Sequence, residues 1–158
     1  MIALGATAGA VMGPFQPETE RYARARIAAD TAVHGLLGVA DYDDEVIART
    51  VFTAEAGLSF FHTHAEGLGP LLLIAGTLVA TVVPGRRSRG LLYTLLVGGG
   101  LFPLGYLVYA VAALELGRDS GVTLAERYVL TPLGSAVILG LLGLLAALVR
   151  AVRRDVSA

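Results

Sequence analysis

Two of the chain's three histidines fall in the run Phe60-Phe61-His62-Thr63-His64-Ala65-Glu66-Gly67-Leu68-Gly69-Pro70. Imidazole nitrogen and carboxylate oxygen are donors for Cu and Zn, and His62 and Glu66, at i, i+4, would share one face of a helix as a chelate. On an ideal helix His64 lies about 160° away from His62, so both reach one ion only if the helix is distorted near Gly67, Gly69 and Pro70. Glu55, Ser59, His62 and Glu66 fall within about 60° of one another and make a polar stripe. His34 is a candidate third ligand, with Asp30 four residues before it to orient the imidazole. The expected metal ligands are therefore His62, His64, Glu66 and His34, with copper the favoured ion. The same residues admit plainer readings: solvated groups at a membrane surface, an ion pair between Glu66 and Arg127, or an acid–base pair of His62 and Glu66 with Ser59 one turn away. Whether the chain is an enzyme stays open.

The elements that must position these groups follow from composition. Of 158 residues 55% are hydrophobic and 16% charged, and the mean hydropathy is +0.69. A soluble domain of this size needs more polar surface, so the bilayer is the expected solvent. All 12 basic residues are Arg, and Lys, Asn, Cys and Trp are absent. That usage fits GC-rich coding and a prokaryotic cytoplasmic membrane. Without Cys there is no disulfide, thiolate site or Fe–S cluster, and a net charge of −1 gives no footprint for nucleic acid.

The fold class expected is all-α: one domain, an integral membrane four-helix bundle, with a helical extracytoplasmic insert between the first and second spans. The spans are placed at about 1–15, 58–84, 91–114 and 128–150, and the insert at 16–57. Residues 1–15 carry Gly5, Gly9 and Gly13 at i, i+4, which lets helices approach closely. They make only roughly 22 Å of helix against a core of about 30 Å, so a short first span and the apolar end of a secretion signal both fit. In the insert, Pro17-Glu18-Thr19-Glu20 reads as a helix start, Glu20–Arg24 as an i, i+4 pair, Arg21, Arg24 and Arg26 as a solvated face, and Gly35 or Gly38 as the stop. Asp41-Tyr42-Asp43-Asp44-Glu45 reads as a capped acidic turn, since Val46 and Phe52 stand where a calcium loop needs Gly and Glu. The second span must begin before His62 to be long enough, which puts Pro70 inside it. Gly98-Gly99-Gly100 and Pro103 interrupt the third. Arg86, Arg87 and Arg89 and the closing Arg150, Arg153 and Arg154 belong inside, and the acidic 16–66 segment outside, which gives an N-in, C-in topology. Heights counted from the inner ends bring Tyr106, Tyr109, Tyr128, Glu115 and Arg127 to the level of His62, His64 and Glu66, and these, with Glu55 from the polar stripe, are the expected supporting groups. The tyrosines also fit an interfacial belt.

The string His62-x-His64-x-x-x-Leu68-Gly69, opening an apolar helix from outside, resembles small four-helix bacterial membrane proteins related to the haem-copper oxidase catalytic subunit. The resemblance spans about 25 residues, from His62 to about Pro84. It implies a haem or copper centre near the outer face, with His62 and His64 as cofactor-binding residues. Glu66 stands where those proteins carry a polar amide, and no histidine follows His64, so a second haem ligand would come from His34, Met12 or a neighbouring subunit. The functional expectation is a membrane protein with a copper-type, or alternatively haem, site serving a respiratory or oxidative complex. The alternative is a non-catalytic subunit or assembly factor whose glycine-rich faces dock helix partners, in a homo-oligomer or a larger complex.

Overall fold

A computed structural model describes residues 2–156 of the chain, with side chains through Arg153. Every described element is helical: α1 (Ile2–Ala29), α2 (Thr31–His34), α3 (Ala40–Val82), α4 (Arg86–Gly99), α5 (Leu104–Leu116), α6 (Arg118–Ala125) and α7 (Thr131–Val156), with one π-helical turn, Glu126–Leu130, joining α6 to α7. Three stretches are long and apolar enough to cross a membrane: Ala40–Val82, Arg86–Leu116 and Arg118–Arg153.

The 43 residues of α3 make a rod of roughly 64 Å. Its start is built by the acidic run. The Asp43 carboxylate accepts the Leu37 and Gly38 amides, both at 2.8 Å, and Asp41 and Asp43 sit at the positive end of the helix. The N-cap itself is Val39 and makes no side-chain bond. Gly35, at φ 67°, closes α2 by turning its amide onto the Ala32 and Thr31 carbonyls, a left-handed residue where a side chain would be strained. Pro70 lies inside α3, as its length requires.

Two sequence expectations change. Residues 2–15 and 16–29 are one helix, running through Pro14 and Pro17, so the 16–57 segment consists of the second half of α1, α2 and the first part of α3. Nor is α1 among the three stretches fit to span. It packs antiparallel on the outer portion of α3. Ile2 meets Gly69, Gly5 meets Ala65 and Gly9 meets His62, so the described helix begins about 20 Å above the far end of α3. No element starts at Pro17: the helix is seated on α3 further back, at Gly5 and Gly9, and runs on through the exposed Pro14–Pro17 turn, each proline forfeiting one amide bond.

Between α4 and α5 the backbone tightens. Leu101, Phe102, Leu104, Gly105 and Tyr106 each donate to the carbonyl three residues back. This 3₁₀ pattern keeps the amides satisfied where Gly100 and Pro103 break the α-helix, as lipid surroundings demand. The end of the bundle near Val83 holds a core of Ala75, Val79, Val83, Leu92, Leu96 and Leu144, and the opposite end a second one of Ala23, Ile27 and Val51. Leu73, Ile74, Leu91, Val97, Leu139 and Leu142 are exposed, the apolar outer surface that a bilayer solvates. Ser88 and Arg150 border one cavity with Pro84, which puts the Arg86–Arg89 turn and the end of α7 at the same end of the molecule.

The α4–α7 seam is set at Gly99. A Cβ there would overlap the Val137 side chain and stand 2.8 Å from its Cα, whereas at Gly98 it would meet open space. Gly99→Val should lower stability in a detergent melt by about 1–3 kcal/mol through overpacking. Gly98→Val should stay within about 0.5 kcal/mol. Equal losses in the two variants would place the seam elsewhere.

Candidate functional site

The uninterrupted course of α3 decides how its histidines point. Two residues apart, they lie on nearly opposite sides of the helix, and no distortion at Gly67, Gly69 or Pro70 brings them together. His62 turns toward α1. Its Nδ1–H donates to the Gly5 carbonyl at 2.9 Å, and its ring lies where a Cβ on Gly9 would be. Glu66 Oε1 is 3.7 Å from the same nitrogen. The i, i+4 pair expected from sequence is thus formed, but facing a helix backbone. The glycine spacing in α1 has its reason here: Gly5 and Gly9 admit Ala65 and the His62 ring, while Gly13 meets nothing within 4 Å.

His64 turns toward α5. Its Nδ1–H donates to the Phe60 carbonyl at 2.8 Å. That bond fixes the tautomer and leaves the Nε2 lone pair free. The ring centroid is 4.9 Å from Tyr106, 5.5 Å from Phe102 and 6.2 Å from Phe60. His64 also borders an apolar cavity of about 320 Å³ between α3 and α7, walled by Leu68, Leu71, Phe102, Val137 and Ile138. Gly67 opens on empty space beside it.

His34 joins neither. It is 8% exposed, and its Nε2–H donates to the Leu114 carbonyl at 3.0 Å, satisfying one of the orphan acceptors at the end of α5. Its Nδ1 is enclosed without a hydrogen-bond partner. Asp30 does not orient it. That carboxylate caps α2, accepting the Val33 amide at 3.3 Å. Glu115 accepts both Nε (2.9 Å) and a terminal nitrogen of Arg26, which clamps α1 to α5 and holds the Arg26 guanidinium above its ordinary pKa through that hydrogen bond. Arg26 is therefore no solvated residue, whereas Arg24 does pair with Glu20 at 2.9 Å. Arg127 lies 5.7 Å over the Tyr128 ring and is not paired with Glu66. Tyr109 stands beside Tyr106 at 6.4 Å. Glu55 and Ser59 border a separate cleft between α1 and α3.

Of the expected site residues, His62 and Glu66 are brought together, and so are His64 and Tyr106. The four ligands are not. Among the described residues no group of three or more His, Asp or Glu side chains is placed to hold a metal ion. Phe102 and Val137, which wall the cavity at His64, carried no chemical signal in the sequence, and the Arg26–Glu115 pair, 89 residues apart, carried no local one. No family model, curated protein or solved structure matches the chain.

His34→Ala removes the bond to Leu114 and a buried ring. It should destabilise the folded protein by about 1–3 kcal/mol in a denaturant or thermal melt. An unchanged midpoint would mean that the outer segment is not anchored at the end of α5.

Proposed function

We propose that this membrane protein binds a haem-type cofactor in the outer half of the bilayer, which His64 would hold through its imidazole. The observation that carries the reading is the state of His64. One nitrogen is committed to a backbone carbonyl, the other is free, and the ring edges an apolar cavity. A copper or zinc ion held by side chains alone takes three or four of them, and the described residues gather no such set. A porphyrin brings four nitrogens of its own and asks the protein for one or two. The donor chemistry fits. The Phe60 bond orients the imidazole, as hydrogen bonds to ligating histidines do. Leu68, Leu71, Val137 and Ile138 give the cavity an apolar wall, and Tyr106 and Phe102 pack against the ring. When bound, such a group supplies one-electron chemistry. That would suit a respiratory or oxidative complex, in line with the resemblance of the His62–Gly69 string.

The same reading places the protein in a prokaryotic cytoplasmic membrane, the Arg86–Arg89 turn and the end of α7 inside, and the apolar half of α1 dipping into the outer leaflet against α3 as a partial fourth helix. The expected N-in end falls on Met1, outside the described residues. A non-catalytic subunit or assembly factor is the second reading. It is favoured by Gly67 and Gly98, whose open flanks would admit a neighbouring helix.

The deciding measurement is a visible spectrum with iron analysis on detergent-purified protein, as isolated and after titration with haem. A Soret band near one equivalent, retained in His62→Ala and weakened at least tenfold in binding for His64→Ala, is the expected result. Protein that stays colourless after titration would transfer the assignment to the subunit reading. Loss of haem in His62→Ala alone would put the ligand on the α1 side.

A further inference from the structure

A second cavity lies away from His64, between α1 and α3, with a volume of about 500 Å³. That is within the range of small-molecule pockets, roughly 300–1,000 Å³. Its walls are mostly apolar, from Met12, Phe52 and Phe60, with Gln16, Ser59 and Glu55 as polar groups. Among the residues bordering it Glu55 is the only charged one, and no Arg or His is present. Glu55 is half-buried, and no hydrogen bond or ion pair from another described residue engages it. Of the other carboxylates on α1 and α3, Glu18, Glu20 and Glu45 each hold an arginine, Asp43 holds two amides and Glu66 lies beside His62; Asp41 and Asp44 have no such partner but are exposed, whereas Glu55 is half-buried in an apolar cleft.

Height gives the cleft its setting. Counted from Val82 at about 1.5 Å per residue, a core of about 30 Å ends near His62. Glu55 stands about 10 Å above that boundary, at the outer edge of the headgroup layer, where the terminal amine of a headgroup lies. The exposed leucines of α4 and α7 face acyl chains and need no other cover. The apolar wall here lies higher, and Phe52 is 71% exposed. A carboxylate beside aromatic rings and neutral oxygens, with no cation of its own, is the chemistry that recognises an ammonium group.

We infer that the α1–α3 cleft is a binding site for an outer-leaflet lipid with an ammonium headgroup, the amine held by Glu55 against Phe52 and the upper chain lying past Ser59 and Phe60. The proposal does not rest on the haem reading: Glu55 and His64 lie about 180° apart around α3, and Phe60, which borders both, is left unchanged in the test.

Native mass spectrometry of the detergent-purified chain tests it, with lysophosphatidylethanolamine and lysophosphatidylglycerol of matched chain length as probes. The wild type should retain the ethanolamine lipid at least tenfold better. Glu55→Gln should remove that preference with an unchanged melting temperature, and Glu45→Gln, on the same helix but outside the cleft, should keep it. Phe52→Leu should weaken retention by a few fold. Equal retention of the two lipids by the wild type, or an undiminished preference in Glu55→Gln, would overturn the assignment.

Discussion

In lipid, helices gain little by hiding apolar surface from one another, so their association rests on close backbone approach and on satisfied polar groups. In this chain that constraint acts through α3, which has small residues on two sides. Ala65 meets α1 at Gly5, and Gly57 meets α5 at Ala110 and the Tyr106 carbonyl, both at 3.0 Å from where its Cβ would be. These contacts set the distances between the three elements at the outer end. Every side chain with chemical capacity there takes its surroundings from that spacing. If α1 stood one side chain further off, His62 would lose the Gly5 carbonyl and face the lipid interface. If α5 did, His64 would lose the ring of Tyr106.

The outer end is also where polar bonds supplement packing. Arg26 with Glu115 and His34 with Leu114 both tie the first quarter of the chain to the end of α5, across more than seventy residues of sequence. Exposed ion pairs contribute little by themselves. Here the bidentate geometry and the buried imidazole fix the rotational setting of α1 about its axis, which the small Ala23–Ile27–Val51 core would leave loose. Stability at this end and the shape of the α1–α3 cleft are consequently one property. The inner end is plainer: aliphatic packing, a tight basic turn, and no polar side chain needed to align α4 with α7.

Much of this was legible in the sequence because it depends on local rules. The need for α3 to begin before His62 follows from the length of a membrane span, and the break at Gly100–Pro103 from backbone preference. The stop at Gly35, the Glu20–Arg24 pair and the opposed directions of His62 and His64 follow from helical geometry. What was not legible depends on partners distant in sequence. The merging of residues 2–15 with 16–29 required knowing that Gly5 and Gly9 already had a surface to lie on, since Pro14 and Pro17 alone argue for a boundary. Asp30 looked like an orienting group for His34 because i, i+4 spacing suits it, yet a four-residue helix places it at the cap, where its carboxylate is claimed by Val33. Arg26 sat in a run of arginines, two of which pair locally, and nothing nearby marked it as the one that reaches Glu115.

The three histidines show how a shared residue type divides into different roles. Each spends one ring nitrogen on a backbone carbonyl: His62 on Gly5, His64 on Phe60, His34 on Leu114. What differs is the surroundings of the second nitrogen. In His34 it is sealed inside protein. In His62 the ring is pressed onto the backbone of α1 at Gly9, with Glu66 alongside. In His64 the carbonyl belongs to its own helix one turn earlier, so the ring needs no other element to hold its tautomer and is left beside an apolar space. A donor fixed by its own helix needs no other element to set its tautomer, which separates His64 from two imidazoles that fasten one element to another. The polarity of the His62–Glu66 face made it the candidate reactive side in the sequence; in the structure His62 is taken up by contact with α1, while His64 stands beside an apolar space.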